Sequence, residues 1–159
     1  MDDILWLYLI IIVGLIALSA FFSGSETALT AASRARMHHW ARKGDRRAEI
    51  VRGLREDKET LLGALLLGNN LVNIFAASLA TSLFVGLFGE AGVAVTTIGL
   101  TLLLLIFAEV LPKTVAITHP DRTAVTVAPI VRWIVRILSP AVAAVQAVVG
   151  LLLKILKIE

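Results

Sequence analysis

Uncharged residues along the chain fall into four long runs, and their lengths set the first expectation about the fold. One extends from Ile4 to Ser25 and, past Glu26, on to Ser33. The others are Thr60 to Gly89, Ala91 to Ala108 and Ile137 to Leu153. A helix needs about 20 apolar residues to cross a hydrocarbon core of about 30 Å. The first two runs meet that length, and the third does so by continuing past Glu109. None alternates with period two, and lipid admits only helices or closed barrels, so the runs predict helices.

The fourth run differs in kind. Pro129, Arg132, Arg136, Pro140 and Gln146 interrupt the apolar character from Thr123 onward, and a crossing here would carry Lys154 and Lys157 to the far side. The reading for 121–159 is therefore broken helices lying at, or dipping into, the inner leaflet. Between the first two runs, the charged segment 34–58 has Gly44-Asp45 at its middle, which reads as a turn between two short helices. Its charges suit a solvated loop that sets topology, and anionic lipid or a cytosolic partner is a possible further ligand. The expected architecture is all-α and integral to the membrane. It is a single domain, 1–159, with three transmembrane helices at about 4–33, 60–88 and 92–115. A cytosolic helical hairpin at about 34–58 follows the first span, and a juxtamembrane helical belt at about 121–159 follows the third.

Composition narrows the function classes. Hydrophobic residues make up 58% of the chain and charged ones 17%, against about 45–50% and 25% in soluble domains. With no cysteine, disulfides, thiol catalysis and thiolate metal sites are excluded. The net charge of +3 could point to nucleic acid, but the basic residues are confined to stretches between the apolar runs. Lysine and arginine number none before the first run, nine between the first and second, none in the Gly86–Gly92 turn and six after the third run. By the positive-inside rule the N-terminus is outside and the C-terminus cytosolic, as in a multi-pass protein of the inner (plasma) membrane, with Trp6 and Tyr8 at the outer interface. Met1-Asp2-Asp3 is acidic where a secretory signal is basic, so the first run is expected to be a retained span.

Three polar groups interrupt the spans. Glu109 lies in Ile106-Phe107-Ala108-Glu109-Val110-Leu111-Pro112-Lys113. A carboxylate deep in a membrane helix costs about 2.5–3.5 kcal/mol and marks a functional site by default. The competing reading is a helix-end carboxylate paired with Lys113 one turn later. Pro112 lacks an N–H, which would leave the carbonyl of Ala108 without its helical partner. The second span carries Asn69, Asn70 and Asn73 beside Gly68, and the first carries Ser19, Ser23 and Glu26 at i, i+4, i+7. Each group admits a bland reading as helix-packing or interhelical hydrogen-bonding residues. Asp3 to Ser19, Asn70 to Gly86 and Val93 to Glu109 are each sixteen residues. At 1.5 Å per residue each polar group then lies about 24 Å from the outer boundary. Hydroxyls, amides and one carboxylate converging there form a hard-oxygen set that suits Mg²⁺ or Na⁺. His38 and His39 are adjacent and diverge on a helix, and no Gly-Lys-Ser/Thr phosphate loop is present. No nucleophile–base constellation supports an enzyme. Ala20 with Gly24, and Ala76 with Ala80, are small-xxx-small pairs that allow close helix approach within or between subunits.

The motifs Phe22-Ser23-Gly24-Ser25-Glu26-Thr27-Ala28-Leu29, Gly68-Asn69-Asn70-Leu71-Val72-Asn73 and Glu109-Val110-Leu111-Pro112-Lys113-Thr114 resemble, in order, the transmembrane domain of the CorC/CNNM (cyclin M) magnesium-transporter family. The resemblance covers essentially the whole chain. It implies a homodimer of three-span subunits that bind Mg²⁺ between the spans, with transport driven by Na⁺ exchange. Carried over position by position, Ser19, Ser23, Asn70 and Glu109 would be the ion ligands. Ser25, Glu26, Asn69, Asn73 and Lys113 would form the flanking network. Family members continue into cytosolic CBS domains, which the resemblance implies for the full-length protein. The chain ends at Glu159 before any such domain, as an isolated membrane domain or truncation would, so nucleotide regulation is not expected of it. The other reading kept open is a membrane-anchored Mg²⁺ sensor or scaffold whose ion is structural and not transported.

Overall fold

In the computed structural model, which describes residues 1–158, helices follow one another through turns of one to three residues. Helix α1 (Asp2–Ala31) is apolar around most of its circumference, as a span facing lipid must be. Its one buried face gathers in the second half, at Ser19, Phe22, Ser23, Gly24, Ser25, Ala28 and Leu29. Helices α2 (Arg34–Arg42) and α3 (Arg46–Glu56) form a hairpin. Each begins at a capping side chain, Ser33 accepting from the Arg36 N–H and Asp45 from the Arg47 N–H. Gly44 takes the turn between them at φ +95°, a left-handed conformation that glycine adopts without a Cβ penalty.

Asp57 then caps α4 (Lys58–Phe88), its carboxylate accepting from both the N–H and the hydroxyl of Thr60. Those two bonds hold the Asp57 carboxyl below the usual carboxylate range. After a tight turn at Gly89 the third long helix runs as α5 (Ala91–Leu103), a π-helical segment (Leu104–Val110) and α6 (Leu111–Thr118). Helix α7 (Pro120–Ile155) completes the described chain. Helix α1 is central and packs against α4, the π segment, α6 and α7.

Two clusters hold the helices together. At the hairpin end Leu29, Met37, Val51, Leu65 and Val131 are fully buried, joining α1, the hairpin, α4 and α7. At the other end Ile12, Ala80 and Leu100 join α1, α4 and α5. The hairpin is thus more than a solvated loop: Met37, Ala48 and Val51 are each 0% exposed, and α3 packs along α7. Asp121 reinforces this junction. Its Oδ1 accepts from the Ser33 N–H at 2.7 Å, and its other oxygen pairs with Arg36, so the start of α7 is fastened to the start of α2.

By length and composition, one more helix qualifies as a span than the three expected. Among the described residues four helices, not three, are long and apolar enough to cross a membrane: Asp2–Ala31, Lys58–Phe88, Ala91–Thr118 and Pro120–Ile155. The belt expected as broken helices is one continuous helix of 36 residues with Pro129 and Pro140 inside it. Eleven residues are close to three helical turns, so both prolines fall on one face and interrupt the backbone ladder on that side only. The buried stripe Asp121, Ala124, Val125, Ala128 and Val131 follows helical spacing and gives tertiary support that outweighs the lost bonds. The small-residue pairs are also spent within the chain. Ala76 and Ala80 are 1% and 2% exposed, and a Cβ on Gly24 would lie 3.5 Å from Pro112.

Candidate ion site

Close packing of α1 on α4 prepares the site. Gly68 has no side chain, and the Phe22 ring occupies the space: a Cβ on Gly68 would lie 2.6 Å from two ring carbons. Beside this contact, three residues back along α1 and one and five residues on along α4, polar groups meet. The Ser19 hydroxyl, 0% exposed, lies 2.7 Å from Asn69 Oδ1 and 2.6 Å from Asn73 Oδ1. A hydroxyl has one hydrogen, so Ser19 can donate to only one of these amides. The second contact is satisfied either by turning an amide so that its NH₂ donates, or by a cation shared among the oxygens.

The third long helix adds the charge. Ser23 Oγ donates to Glu109 Oε1 at 3.2 Å, and Asn69 Nδ2 donates to the same oxygen at 3.4 Å. Glu109 Oε2 lies 3.1 Å from Lys113 Nζ. One carboxylate oxygen thus faces α1 and α4, while the other faces a lysine on its own helix. Glu109 thus faces the other two spans and is the i,i+4 partner of Lys113 at once.

Glu109 lies in the π-helical segment, where the Leu111 N–H bonds to the Ile106 carbonyl five residues back. Sequence reasoning expected an ordinary helix missing one bond at Pro112. A proline ring clashes with the carbonyl four residues before it, and a widened turn relieves that clash. Pro112 was therefore the signal for the π segment, but it also fits a simple kink. The extra residue rotates the helix on the N-terminal side of Pro112 relative to α6, and π-bulges recur at functional sites.

The structure brings together Ser19, Ser23, Asn69, Asn73, Glu109 and Lys113. It does not bring Asn70 to them: Asn70 is exposed on another face of α4, in an open groove shared with Gly63 and Gln146. The Glu26 side chain is half-buried and makes no hydrogen bond or ion pair among the described residues. Ser25 is 1% exposed, and its hydroxyl is the one buried side-chain polar atom without a partner among the described residues. Among those residues no three His, Cys, Asp or Glu side chains gather, so the donor set is hydroxyl, amide and a single carboxylate. Such a set fits a hard cation. Asp121 escaped sequence reasoning, because an acid just past a span looks like any solvated first-turn residue.

A family model described as "Cyclin M transmembrane N-terminal domain" matches residues 10–159. The chain is 39% identical to the UPF0053 inner membrane protein YfjD of Escherichia coli over 89% of its own length and 33% of that protein's. It is 40% identical to a UPF0053 protein of Haemophilus influenzae, over 86% of the chain and 32% of the relative. A chloroplastic DUF21 domain-containing protein of Arabidopsis thaliana is 36% identical over 82% of the chain and 20% of its own length. The chain spans about a third of the length of the two bacterial relatives.

Proposed function

We propose that this chain, which belongs to the cyclin M transmembrane N-terminal domain family, is the ion-conducting part of a secondary Mg²⁺ transporter that exports Mg²⁺ in exchange for Na⁺. The observation that carries the reading is the meeting of Ser19, Ser23, Asn69, Asn73 and Glu109 from three long apolar helices. Ionisable groups inside membrane spans face protein or ion pathways and pair with one another. Between transport events Lys113 neutralises Glu109. An arriving divalent ion repels the lysine and takes its place on the carboxylate, with hydroxyl and amide oxygens completing the shell. A single carboxylate leaves a bound divalent ion with net positive charge, so the ion can be released. The protein acts as a homodimer in the plasma membrane with its N-terminus outside, and the longer protein supplies cytosolic CBS domains.

Flux into liposomes tests the proposal. The purified chain, reconstituted around a Mg²⁺-sensitive dye, is expected to pass Mg²⁺ when an opposing Na⁺ gradient is imposed. Glu109→Gln is expected to reduce that flux to the level of empty liposomes. If the unmodified chain binds Mg²⁺ but shows no flux above empty liposomes, the site is structural, and a membrane-anchored sensor or scaffold becomes the better account.

A further inference from the structure

A second polar recess lies at the hairpin end and shares no residue with the ion site. Its cavity of about 490 Å³ is lined by Arg34, Met37, His38, Arg52, Arg55 and Glu56. Met37 is fully buried and forms an apolar floor. Arg55 is fixed in place by donating from Nη1 to the Ala32 carbonyl at 2.7 Å, which leaves its other N–H groups available. Arg34, Arg52 and Arg55 make no ion pair with a carboxylate among the described residues. Glu56 is the one acidic group lining the recess. Burial and the neighbouring Arg34 charge push the Arg55 guanidinium below its ordinary range, against a weaker opposing pull from Asp121. Three cations therefore crowd one acid, and an incoming anion would relieve the repulsion.

The surroundings indicate which anion. Arg34 and Arg55 also wall a small adjoining crevice with Lys58 and with Leu29, Leu61 and Leu62. This is where α1 ends and α4 begins, at the boundary of two candidate spans. From Lys58 to Leu62 is about one turn, or about 5.4 Å. Leu66, the next residue on that face, is 57% exposed. Cationic and apolar surface thus meet over about one helical turn, the pattern an amphiphile presents in reverse. Charges that only set topology need neither a recess nor an anchored guanidinium, and the side chains of Arg42 and Lys43 at the hairpin tip make no hydrogen bond or ion pair among the described residues.

We propose that this recess binds the phosphate of an anionic phospholipid headgroup, held by Arg34, Arg52 and Arg55, with the acyl chains lying over Leu62 and Leu66. Guanidinium groups grip phosphate oxygens through paired N–H donors, and basic recesses at the ends of membrane helices recognise anionic headgroups. A free phosphate would satisfy the same donors but would gain nothing from the leucines.

Thermal unfolding of the detergent-solubilised chain, titrated with lipid, tests this because a ligand of the folded state raises the midpoint once its concentration passes its dissociation constant, and then with the logarithm of that ratio. Dioleoylphosphatidylglycerol in mixed micelles is expected to raise the midpoint from a defined onset fraction, and dioleoylphosphatidylcholine or inorganic phosphate to leave it unmoved. Arg34→Gln and Arg52→Gln are each expected to move that onset to an about tenfold higher lipid fraction, the cost of one charged hydrogen-bonded contact. Arg42→Gln and Lys43→Gln, which lose the same charge elsewhere, are expected to leave it unchanged, and so is Glu109→Gln. Equal responses to both lipids, or equal weakening in the tip variants, would overturn the site in favour of general surface attraction. Inorganic phosphate as effective as the lipid would overturn the lipid as its ligand.

Discussion

Glu109 Oε2 faces Lys113 at 3.1 Å, while Oε1 faces a hydroxyl and an amide from two other helices. The two halves of one carboxylate can be separated by titrating Mg²⁺ calorimetrically into purified variants. Glu109→Gln keeps the size and one oxygen but removes the only carboxylate of the cluster, so affinity is expected to fall well beyond tenfold. Asn69→Ala removes a neutral group from the centre and is expected to weaken binding by several-fold. Asn70→Ala is expected to change it by less than about twofold, because that side chain lies in the α4–α7 groove; twofold is about 0.4 kcal/mol. Unchanged affinity in folded Glu109→Gln would reduce the carboxylate to the partner of Lys113. The asparagines show how far residue-scale reading reaches. Equal spacing along three spans put Ser, Asn and Glu at one depth, and polar groups from all three spans do meet. Choosing between Asn69 and Asn70 needed the rotation of α4 about its own axis. Adjacent residues differ by about 100°, and a motif of three asparagines leaves that angle open.

The elements were mostly legible because each has a local cause. The hairpin could be read from Gly44-Asp45, and the spans from run length. Their packing could not, since Gly68 matters only for what fills the space beside it. The Phe22 ring does so, and a methyl group there overpacks the α1–α4 contact. Gly68→Ala is expected to destabilise the chain by about 1–3 kcal/mol, seen as a lower unfolding midpoint in detergent. Phe22→Leu in the same chain is expected to return part of that loss, because the two substitutions act on one contact. Additive losses would show that the ring moves aside without strain and that α1 and α4 are held elsewhere. The π-helical segment marks the limit of element-scale reading. Pro112 announces a disturbance, but whether the chain kinks or widens depends on the helices packed around Glu109.

For the molecule as a whole, the element that decides the topology is α7. Its proline and arginine content argued for broken helices, yet a buried stripe keeps it continuous for 36 residues, or about 54 Å. Length and composition permit a crossing, but its neighbours indicate a different course. Its first turns, from Ala124 to Val131, join one cluster with Met37, Ala48 and Val51 of the hairpin and with Leu29 and Leu65 at the hairpin end of α1 and α4. Farther along, Val142 meets Gly63, and the α4 residues that share a groove with α7 run only from Glu59 to Asn70. None comes from the half of α4 leading to Gly89. We expect α7 to stay beside the basic half of the bundle, with Lys154 and Lys157 on the hairpin side, in keeping with the distribution of positive charge. Single cysteines can test this directly, since the chain has none of its own. Glu90→Cys and Lys43→Cys avoid the left-handed positions at Gly89 and Gly44 and report the two ends of the bundle. In intact cells Glu90→Cys is expected to react with an impermeant thiol reagent, while Lys43→Cys reacts only after the membrane is opened. Lys157→Cys is expected to behave like Lys43→Cys. Reaction of Lys157→Cys from outside would make α7 a fourth crossing. Reaction of Lys43→Cys from outside, with Glu90→Cys protected, would invert the whole molecule and turn the proposed direction of Mg²⁺ movement with it.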